Sequence, residues 1–276
     1  MFLGAVYRIL RSWKPSMSDF YDTLGFNAQV TISSGYYDSF KPAPSSSRCL
    51  SLKQAILECN KNPVIAEVKI ASPTLGIIRE NKNLIEIAKA MERGGATAIS
   101  VLTEPKYFKG SINTLSKVRR AVKLPILMKD IILSSTQIDA AVNIGADVVL
   151  LIKTLYDRGY GEIELGNMIE YAHEKGLEVL LEVHTETEFK AAKKTKADMI
   201  GINNRNLADL KIDLNNTKKI LKTNNFERLV VVSESGIKTL ADLQFLNQAG
   251  VSAFLIGSSI MLAENVEEKV REFVNA

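Results

Sequence analysis

The chain has 276 residues, of which 46% are hydrophobic and 24% are charged, and its formal net charge is +4. This length can bury a sizeable core in one large domain or in two small ones. The basic residues are scattered and form no basic-aromatic patch, so nothing in the charge indicates a nucleic-acid partner. No apolar run approaches the roughly 20 residues of a membrane span, which argues against a membrane partner.

The first 47 residues are expected to form a partly irregular N-terminal extension. The opening MFLGAVYRILRSWKPSM is apolar and basic, but Arg8 and Arg11 follow the apolar patch, whereas a secretory signal places its positive charge first. An amphipathic helix, a transit-like segment and a true start at Met17 all stay open. Cys49 and Cys59 form no CxxC pair or Cys/His cluster, so we expect reduced thiols, no metal site and a cytoplasmic location.

From Ser51 onward, predicted helices and strands alternate. SLKQAILECN predicts an extra helix that leads into the first strand. Eight short apolar runs follow, each with room for a helix after it, and their run-like hydrophobicity favours parallel strands covered by helices. The predicted strands are 64–70, 98–103, 125–129, 147–152, 178–183, 198–203, 228–234 and 252–257.

Residues typical of helix starts and helix ends support this alternation of strands and helices. Ser134, Thr185 and Thr239 each stand three residues before a Gln, Glu or Asp, which is typical of helix starts. The stretches GGATAI, GADVVL and AGVSAF place a glycine shortly before a strand, where a helix ends. We therefore predict an α/β protein in which residues 1–47 form an N-terminal extension and residues 48–276 form a (β/α)8 TIM barrel. An open doubly wound sheet is the rival, but eight regular units in about 230 residues fit the barrel better.

Polar side chains follow the carboxyl ends of the predicted strands, which meet at one face of a barrel. Glu67 and Lys69 are two positions apart on a strand, so both project to the same side, into a shared mouth. A single charged strand end is more often a solvated cap, but six of the eight strands end in an ionisable group. The polar residues at these ends are Glu67, Lys69, Thr103, Glu104, Lys129, Asp130, Lys153, Glu182, Asn203, Asn204, Glu234, Ser235, Gly257 and Ser258.

Two small-residue stretches predict a phosphate site. SESGI (233–237) and IGSS (256–259) follow the seventh and eighth strands, where barrels commonly bind phosphate through backbone N–H groups. Small residues let the backbone approach an anion closely, and Ser72 in the ASPT loop adds a hydroxyl. The alternative is that Gly236 and Gly257 only make tight turns.

Several stretches together resemble the indole-3-glycerol phosphate synthases of tryptophan biosynthesis. They occur in the family's order over roughly residues 48–263. SESG and GSS are shared with other phosphate-binding barrels, whereas the complete set is specific. The stretches are AEVKIASPTLGII, ISVLTEPKYFKGS, LPILMKDIIL, GADVVLLI, LLEVHTETE, IGINNRNL, VVSESGI and AFLIGSSIM.

The resemblance implies a reaction and a role for each matching residue. The family closes the indole ring of 1-(2-carboxyphenylamino)-1-deoxyribulose 5-phosphate, with loss of carbon dioxide and water and without metal or cofactor. Lys129 is implied as the general acid, Lys69 as the partner of the substrate carboxylate, and Glu67 and Glu182 as groups that orient these lysines and shuttle protons. Which glutamate is the final base stays open. The implied substrate-binding residues are Asn203, Arg205, Glu234, Ser235, Phe108 and Ile131, and the implied phosphate-binding residues are Ser72, Gly236, Gly257 and Ser258.

Three positions depart from the family's pattern. Ile131 replaces an aromatic residue expected beside the substrate ring, and loss of that stacking costs about 0.5–1.5 kcal/mol. Ile70 and Leu75 stand where Arg and Lys are common, which removes two positive charges near an anionic substrate. Asp130 is interpreted as structural, while His184 and His173 rank below the lysines and glutamates as functional residues.

Two rival functions stay open. Another phosphosugar barrel, such as a phosphoribosylanthranilate isomerase, does not require the two lysines and two glutamates. A catalytically silent barrel that binds a phosphorylated ligand is supported by Ile70, Leu75 and Ile131. The expected partner is a phosphorylated small molecule, and other enzymes of the tryptophan pathway are candidate protein partners.

Overall fold

Eight short runs rich in Val, Ile, Leu and Ala form the strands of a closed parallel barrel in the computed structural model, which describes residues 19–38, 50–79, 83–227 and 229–276. Each strand pairs with the next along the chain, and the last pairs back to the first, so the prediction of a (β/α)8 barrel is confirmed. A small antiparallel hairpin, β2 and β3, follows β1. The strands are β1 (Val64–Val68), β2 (Ala71–Ser72), β3 (Gly76–Ile77), β4 (Ala98–Leu102), β5 (Ile126–Lys129), β6 (Val148–Ile152), β7 (Glu178–Val183), β8 (Met199–Asn203), β9 (Val230–Glu234) and β10 (Ala253–Ile256).

Helices connect these strands on the outside of the barrel. Ser134, Thr185 and Thr239 each cap a helix with the reciprocal side-chain bonds of a capping box, as their spacing predicted. The helices of the described residues are α1 (Phe20–Ser33), α2 (Leu52–Leu57), α3 (Leu84–Arg93), α4 (Ile112–Arg119), α5 (Ser135–Ile144), α6 (Lys153–Asp157), α7 (Leu165–Glu174), α8 (Glu186–Ala192), α9 (Asn215–Lys222), α10 (Leu240–Asn247), α11 (Ser258–Leu262) and α12 (Val266–Val274).

The alternation of side chains along each strand produces two apolar layers. In β7, Val179 and Leu181 belong to the layer between strands and helices, whereas Leu180 belongs to the cluster inside the barrel. Glu182 is two residues beyond Leu180 and therefore also projects inward. The same alternation brings the last inward residue of several strands to the carboxyl end of the barrel.

Helix α2 closes the opposite, amino end of the barrel. Leu52 and Ile56 are buried in the cluster inside the barrel. The Glu178 carboxylate, at the start of β7, accepts hydrogen bonds from the Ser51 hydroxyl and from the backbone N–H groups of Leu52 (2.9 Å) and Lys53 (3.1 Å). A carboxylate at the first turn satisfies N–H groups that have no partner within the helix.

Helix α1 was not predicted, because residues 15–48 show little helical periodicity. Its ordering comes from contacts with the barrel: Asp19 pairs with Arg158 at 2.7 Å, and the Asp22 carboxylate accepts from the Tyr160 hydroxyl at 3.1 Å. Gly25 stands within the helix because any side chain there would overlap the ring of Tyr160. Tertiary contact therefore outweighs weak local propensity in α1. The opening stretch 1–18, the loop 41–47 and Cys49 lie outside the described residues; Cys59 is a free thiol.

We expect Glu178→Ala to lower the free energy of unfolding by about 1–2 kcal/mol, since the first turn of α2 loses its charged acceptor. The urea midpoint measures this loss. Glu170→Ala is the matched control, because Glu170 lies on the surface and forms an exposed ion pair with Lys196. An equal shift of the midpoint in both variants would contradict the proposed role of Glu178.

Candidate active site

A cavity of about 380 Å³ opens at the carboxyl end of the barrel. Its wall contains all fourteen residues that the sequence predicted for the site, so the structure brings the whole set together. These residues come from the ends of β1, β5, β7, β8 and β9, from β2, and from the segments that directly follow β1, β4, β5, β8, β9 and β10. Their individual roles stay predictions.

The cavity floor carries two lysines among buried carboxylates. Lys69 lies 3.5 Å from Glu67, and Lys129 lies 3.4 Å from Glu182 and 3.7 Å from Glu234. The three glutamates are between 1% and 4% exposed. Charges so far from water must be paired, because their desolvation is otherwise too costly.

The two lysines experience opposite electrostatic environments. Burial works to lower the pKa of Lys129, but the carboxylates of Glu182, Glu234 and Glu67 outweigh it, so the pKa is raised. Burial also lowers the pKa of Lys69, and Glu67 compensates only in part because the charges of Lys129 and Arg205 add to the effect. Lys129 is thus held as a cation, whereas Lys69 releases its proton more readily.

Glu234 is the least satisfied polar group of the site. Among the described residues, neither of its carboxylate oxygens has a hydrogen-bond partner. Burial, with the nearby Glu182 charge, raises the pKa of Glu234 to about 8 although Lys129 opposes this. A buried carboxylic acid that is neutral at pH 7 can donate a hydrogen bond as well as accept one.

Two glycines make room for these glutamates, and only Gly257 was predicted from the sequence as a site residue. A side chain at Gly201 of β8 would overlap the Glu234 carboxylate, and one at Gly257 would overlap Glu67. A glycine inside a strand pattern signals a close approach of this kind, so IGIN could have identified Gly201.

Asn203 and Arg205 connect the floor to the mouth of the cavity. The Asn203 amide donates to Glu182 Oε1 at 2.9 Å and so orients the carboxylate next to Lys129. The Arg205 guanidinium donates to the Thr74 hydroxyl at 3.1 Å and to the Leu210 carbonyl at 3.2 Å. Arg205 therefore links the loop after β1 to the loop after β8, as a residue that supports the mouth would.

The loop after β4 holds Phe108 against the cavity. The buried Glu104 carboxylate accepts from the backbone N–H groups of Lys106, Tyr107 and Phe108 at 2.7–2.9 Å. The Phe108 ring lies 5.9 Å from Lys69 Nζ. Glu104 thus acts as the anchor of this loop rather than as a free carboxylate of the site.

The apolar wall is mostly aliphatic. Ile131, 5% exposed, lines it together with Leu150 and Leu207. Leu24, which the sequence analysis did not identify, also lines the cavity and comes from α1, which packs across the mouth. Nothing in the local sequence could have placed Leu24 there, because its position depends on how α1 docks.

Three strand-end residues do not reach the cavity, so the expectation that every strand end faces the mouth is wrong for them. Lys153 begins α6 and pairs with Asp157. The Thr103 hydroxyl donates to Asp130 at 2.6 Å, and Asn204 is buried behind the loop after β9. The wall of the cavity contains none of the three.

Asp130, His184 and His173, which the sequence ranks low as functional residues, each contact another group of the protein. The Asp130 carboxylate accepts hydrogen bonds from Tyr37 (3.0 Å) and Thr103, and burial raises its pKa to about 6. His184 Nδ1 lies 2.8 Å from the Asn203 carbonyl, and His173 pairs with Asp198 at 2.9 Å. These contacts agree with the interpretation of Asp130 as structural.

Two features are absent from the part of the chain that the structure describes. It contains no group of three or more His, Cys, Asp or Glu side chains placed to hold a metal ion. It also contains no helix with the length and apolar character needed to cross a bilayer.

Known proteins similar to this chain agree with the sequence resemblance. The model of the family described as indole-3-glycerol phosphate synthase matches residues 29–273. The indole-3-glycerol phosphate synthase of Methanocaldococcus jannaschii is 46% identical over 231 residues, which cover 82% of this chain and 84% of that protein. The indole-3-glycerol phosphate synthase of Pyrococcus furiosus is 42% identical over 228 residues, which cover 82% of this chain and 97% of that protein. The solved structure of the N-acetylmannosamine-6-phosphate 2-epimerase from Clostridium perfringens has a TM-score of 0.58 at 16% identity, over 79% of this chain and 93% of that one, and shows the fold alone.

We expect the difference in free energy of unfolding between the wild-type protein and Glu234→Gln to depend on pH. A carboxyl group whose pKa is raised in the folded state contributes stability that is present below the unfolded value of about 4.3 and is lost as pH rises through about 8. The wild-type protein should therefore lose free energy of unfolding relative to the variant between pH 5 and pH 8, as measured by urea titrations. A difference that stays constant over this range would show that Glu234 titrates normally.

Proposed function

We propose, because this chain belongs to the indole-3-glycerol phosphate synthase family, that its cavity converts 1-(2-carboxyphenylamino)-1-deoxyribulose 5-phosphate into indole-3-glycerol phosphate, carbon dioxide and water. This activity makes the protein a carbon–carbon lyase of tryptophan biosynthesis. The observation that carries the proposal is the placement of two lysines among three buried carboxylates on one cavity floor.

Ring closure requires a cation or acid at the substrate carbonyl. The ring carbon that bears the carboxylate attacks this carbonyl, and negative charge develops on the carbonyl oxygen. Lys129 is held as an ammonium chiefly by the Glu182 carboxylate, so it donates a hydrogen bond and then a proton to that oxygen. The product of this step is a hydroxyl group on the new ring and an iminium-like centre at the nitrogen.

Decarboxylation and dehydration restore the aromatic system. The electron pair of the bond to the carboxylate returns to the ring as carbon dioxide leaves. Lys69, whose pKa is lowered, protonates the departing hydroxyl, and a glutamate removes the proton from the adjacent carbon. Glu67 and Glu182 each contact one lysine and are the candidates for this base.

The phosphate is proposed to bind where the loops after β9 and β10 meet the loop after β1. Gly236, Gly257, Ser258 and Ser72 line this part of the cavity. The Ser72 hydroxyl accepts from the Leu75 N–H at 3.1 Å, which leaves its own proton for an anion. Two glycines let the backbone approach the phosphate oxygens closely.

The substrate ring is proposed to lie between Phe108 and the aliphatic wall that includes Ile131. Asn203, Glu234 and Ser235 line the same cavity and are proposed to contact the ribulose hydroxyls. The aliphatic wall offers burial without aromatic stacking, so we expect weaker binding of the ring than an aromatic residue at 131 would give. A cytoplasmic location and contacts with other enzymes of the same pathway are part of this proposal.

We expect Lys129→Met to lower kcat by about two to four orders of magnitude, since the carbonyl loses its proton donor. A fluorescence assay for indole-3-glycerol phosphate measures the loss. Lys153→Met is the matched control, because Lys153 also follows a strand but pairs with Asp157 outside the cavity.

The same assay separates the rival functions. Near-normal turnover in Lys129→Met would remove Lys129 from its role. Saturable binding of the substrate by the wild-type protein without any turnover would instead support a catalytically silent barrel.

A further inference from the structure

A buried hydrogen-bond network centred on Asn204 lies directly behind the proposed phosphate site. Asn204 is 1% exposed and does not line the cavity. Its side-chain nitrogen donates to the Ser233 hydroxyl (3.0 Å) and to the carbonyl oxygens of Glu234 (3.0 Å) and Ser235 (3.2 Å). An amide group has two hydrogens, so one of them is shared between two acceptors.

Helix α9 provides hydrogen-bond donors to the side-chain oxygen of Asn204. The Thr217 hydroxyl donates to Asn204 Oδ1 at 2.7 Å, and the Thr217 backbone N–H donates to the same oxygen at 3.3 Å. Thr217 is fully buried. The Asn204 side chain is thus a fixed bridge between α9 and the end of β9, and its orientation is determined by partners on both sides.

The backbone held by this bridge has an unusual conformation. Ser235 adopts a left-handed φ of 68°, and Gly236 follows with a φ of 87°. A left-handed conformation is unfavourable for a residue with a side chain, so the surrounding structure must impose it.

The Asn204 amide contacts the two groups that define this conformation. The Glu234 carbonyl belongs to the peptide group before the Ser235 Cα, and the Ser235 carbonyl belongs to the peptide group after it. Because φ and ψ of Ser235 describe the rotation between these two peptide groups, bonds to both of them fix the turn.

The loop behind the turn depends on the same residue. The Asp213 backbone N–H donates to the Asn204 carbonyl at 3.0 Å. A side chain at Gly236 would collide with Ile212 and Leu214, the two neighbours of Asp213. Asn204 therefore holds both the phosphate turn and the surface against which Gly236 packs.

We infer that Asn204 is a positioning residue that holds the Ser235–Gly236 turn in the shape that binds the substrate phosphate. This inference rests on the phosphate assignment in the proposed function. It adds a requirement that lies outside the cavity wall: the geometry of the anion site depends on a buried amide that never touches the ligand.

The test measures the binding of inorganic phosphate by calorimetry, which is independent of turnover. We expect Asn204→Ala to weaken this binding by about five- to thirty-fold. This range is the effect on affinity that we expect if the left-handed conformation of Ser235 is no longer held by the bonds from Asn204. Thr217→Val removes only the hydroxyl that orients the amide and should weaken binding about two- to three-fold, in a variant that keeps the volume of the side chain. Gln137→Ala is the matched control, since Gln137 is another buried amide that holds a loop, the one after β5. Its phosphate affinity should be unchanged even though stability falls.

A second comparison tests the mechanism of the effect. Glycine has no side-chain penalty in the left-handed region, so Asn204→Ala should weaken phosphate binding less in a Ser235→Gly background than in the wild-type background. Equal losses in the two backgrounds, or unchanged affinity in Asn204→Ala, would overturn the inference. If the wild-type protein binds no phosphate, the phosphate assignment and this inference both fail. If it binds phosphate and the variants bind equally well, only the role of Asn204 fails.

Discussion

The site depends on one electrostatic constraint: Lys129 lies between the carboxyl groups of Glu182 and Glu234, directly above the apolar cluster that fills the inside of the barrel. Removing only the lysine, or only the glutamates, would leave an uncompensated charge away from water, which is strongly unfavourable. Glu182 has the Asn203 amide as a second partner, whereas both oxygens of Glu234 lack a hydrogen-bond partner among the described residues. Burial of Glu234 is therefore the least compensated in this group, and the pKa of its carboxyl group is raised.

The barrel makes this arrangement possible because its strands alternate inward and outward residues. The lower inward positions, such as Leu127 and Leu180, fill the interior and exclude water. The next inward positions carry Lys129 and Glu182, so each charge stands one layer above a dry core. Catalytic groups held on strands, and not on loops, keep their separation when substrate enters.

Much of the fold follows from local patterns. Strand runs, capping residues and the alternation that pairs Glu67 with Lys69 depend on neighbours in sequence, and the structure agrees with them. The features that were missed depend on tertiary contacts. Helix α1 is stabilised by partners such as Arg158, which brings Leu24 to the cavity. Lys153 leaves the set because a helix begins at that residue, and the importance of Asn204 comes from its bonds to β9 and α9.

The central claim is that the two lysines differ: the surrounding carboxylates hold Lys129 charged, whereas burial and the nearby cations make Lys69 more acidic. The most direct measurement is an NMR titration of the side-chain ammonium groups of Lys129 and Lys69 in the wild-type protein and in Glu182→Gln. We expect Lys69 to titrate below its usual value and Lys129 above it, with the midpoint of Lys129 falling when the Glu182 charge is removed. Identical midpoints for the two lysines, or no change in Lys129 on removal of the Glu182 charge, would contradict the account.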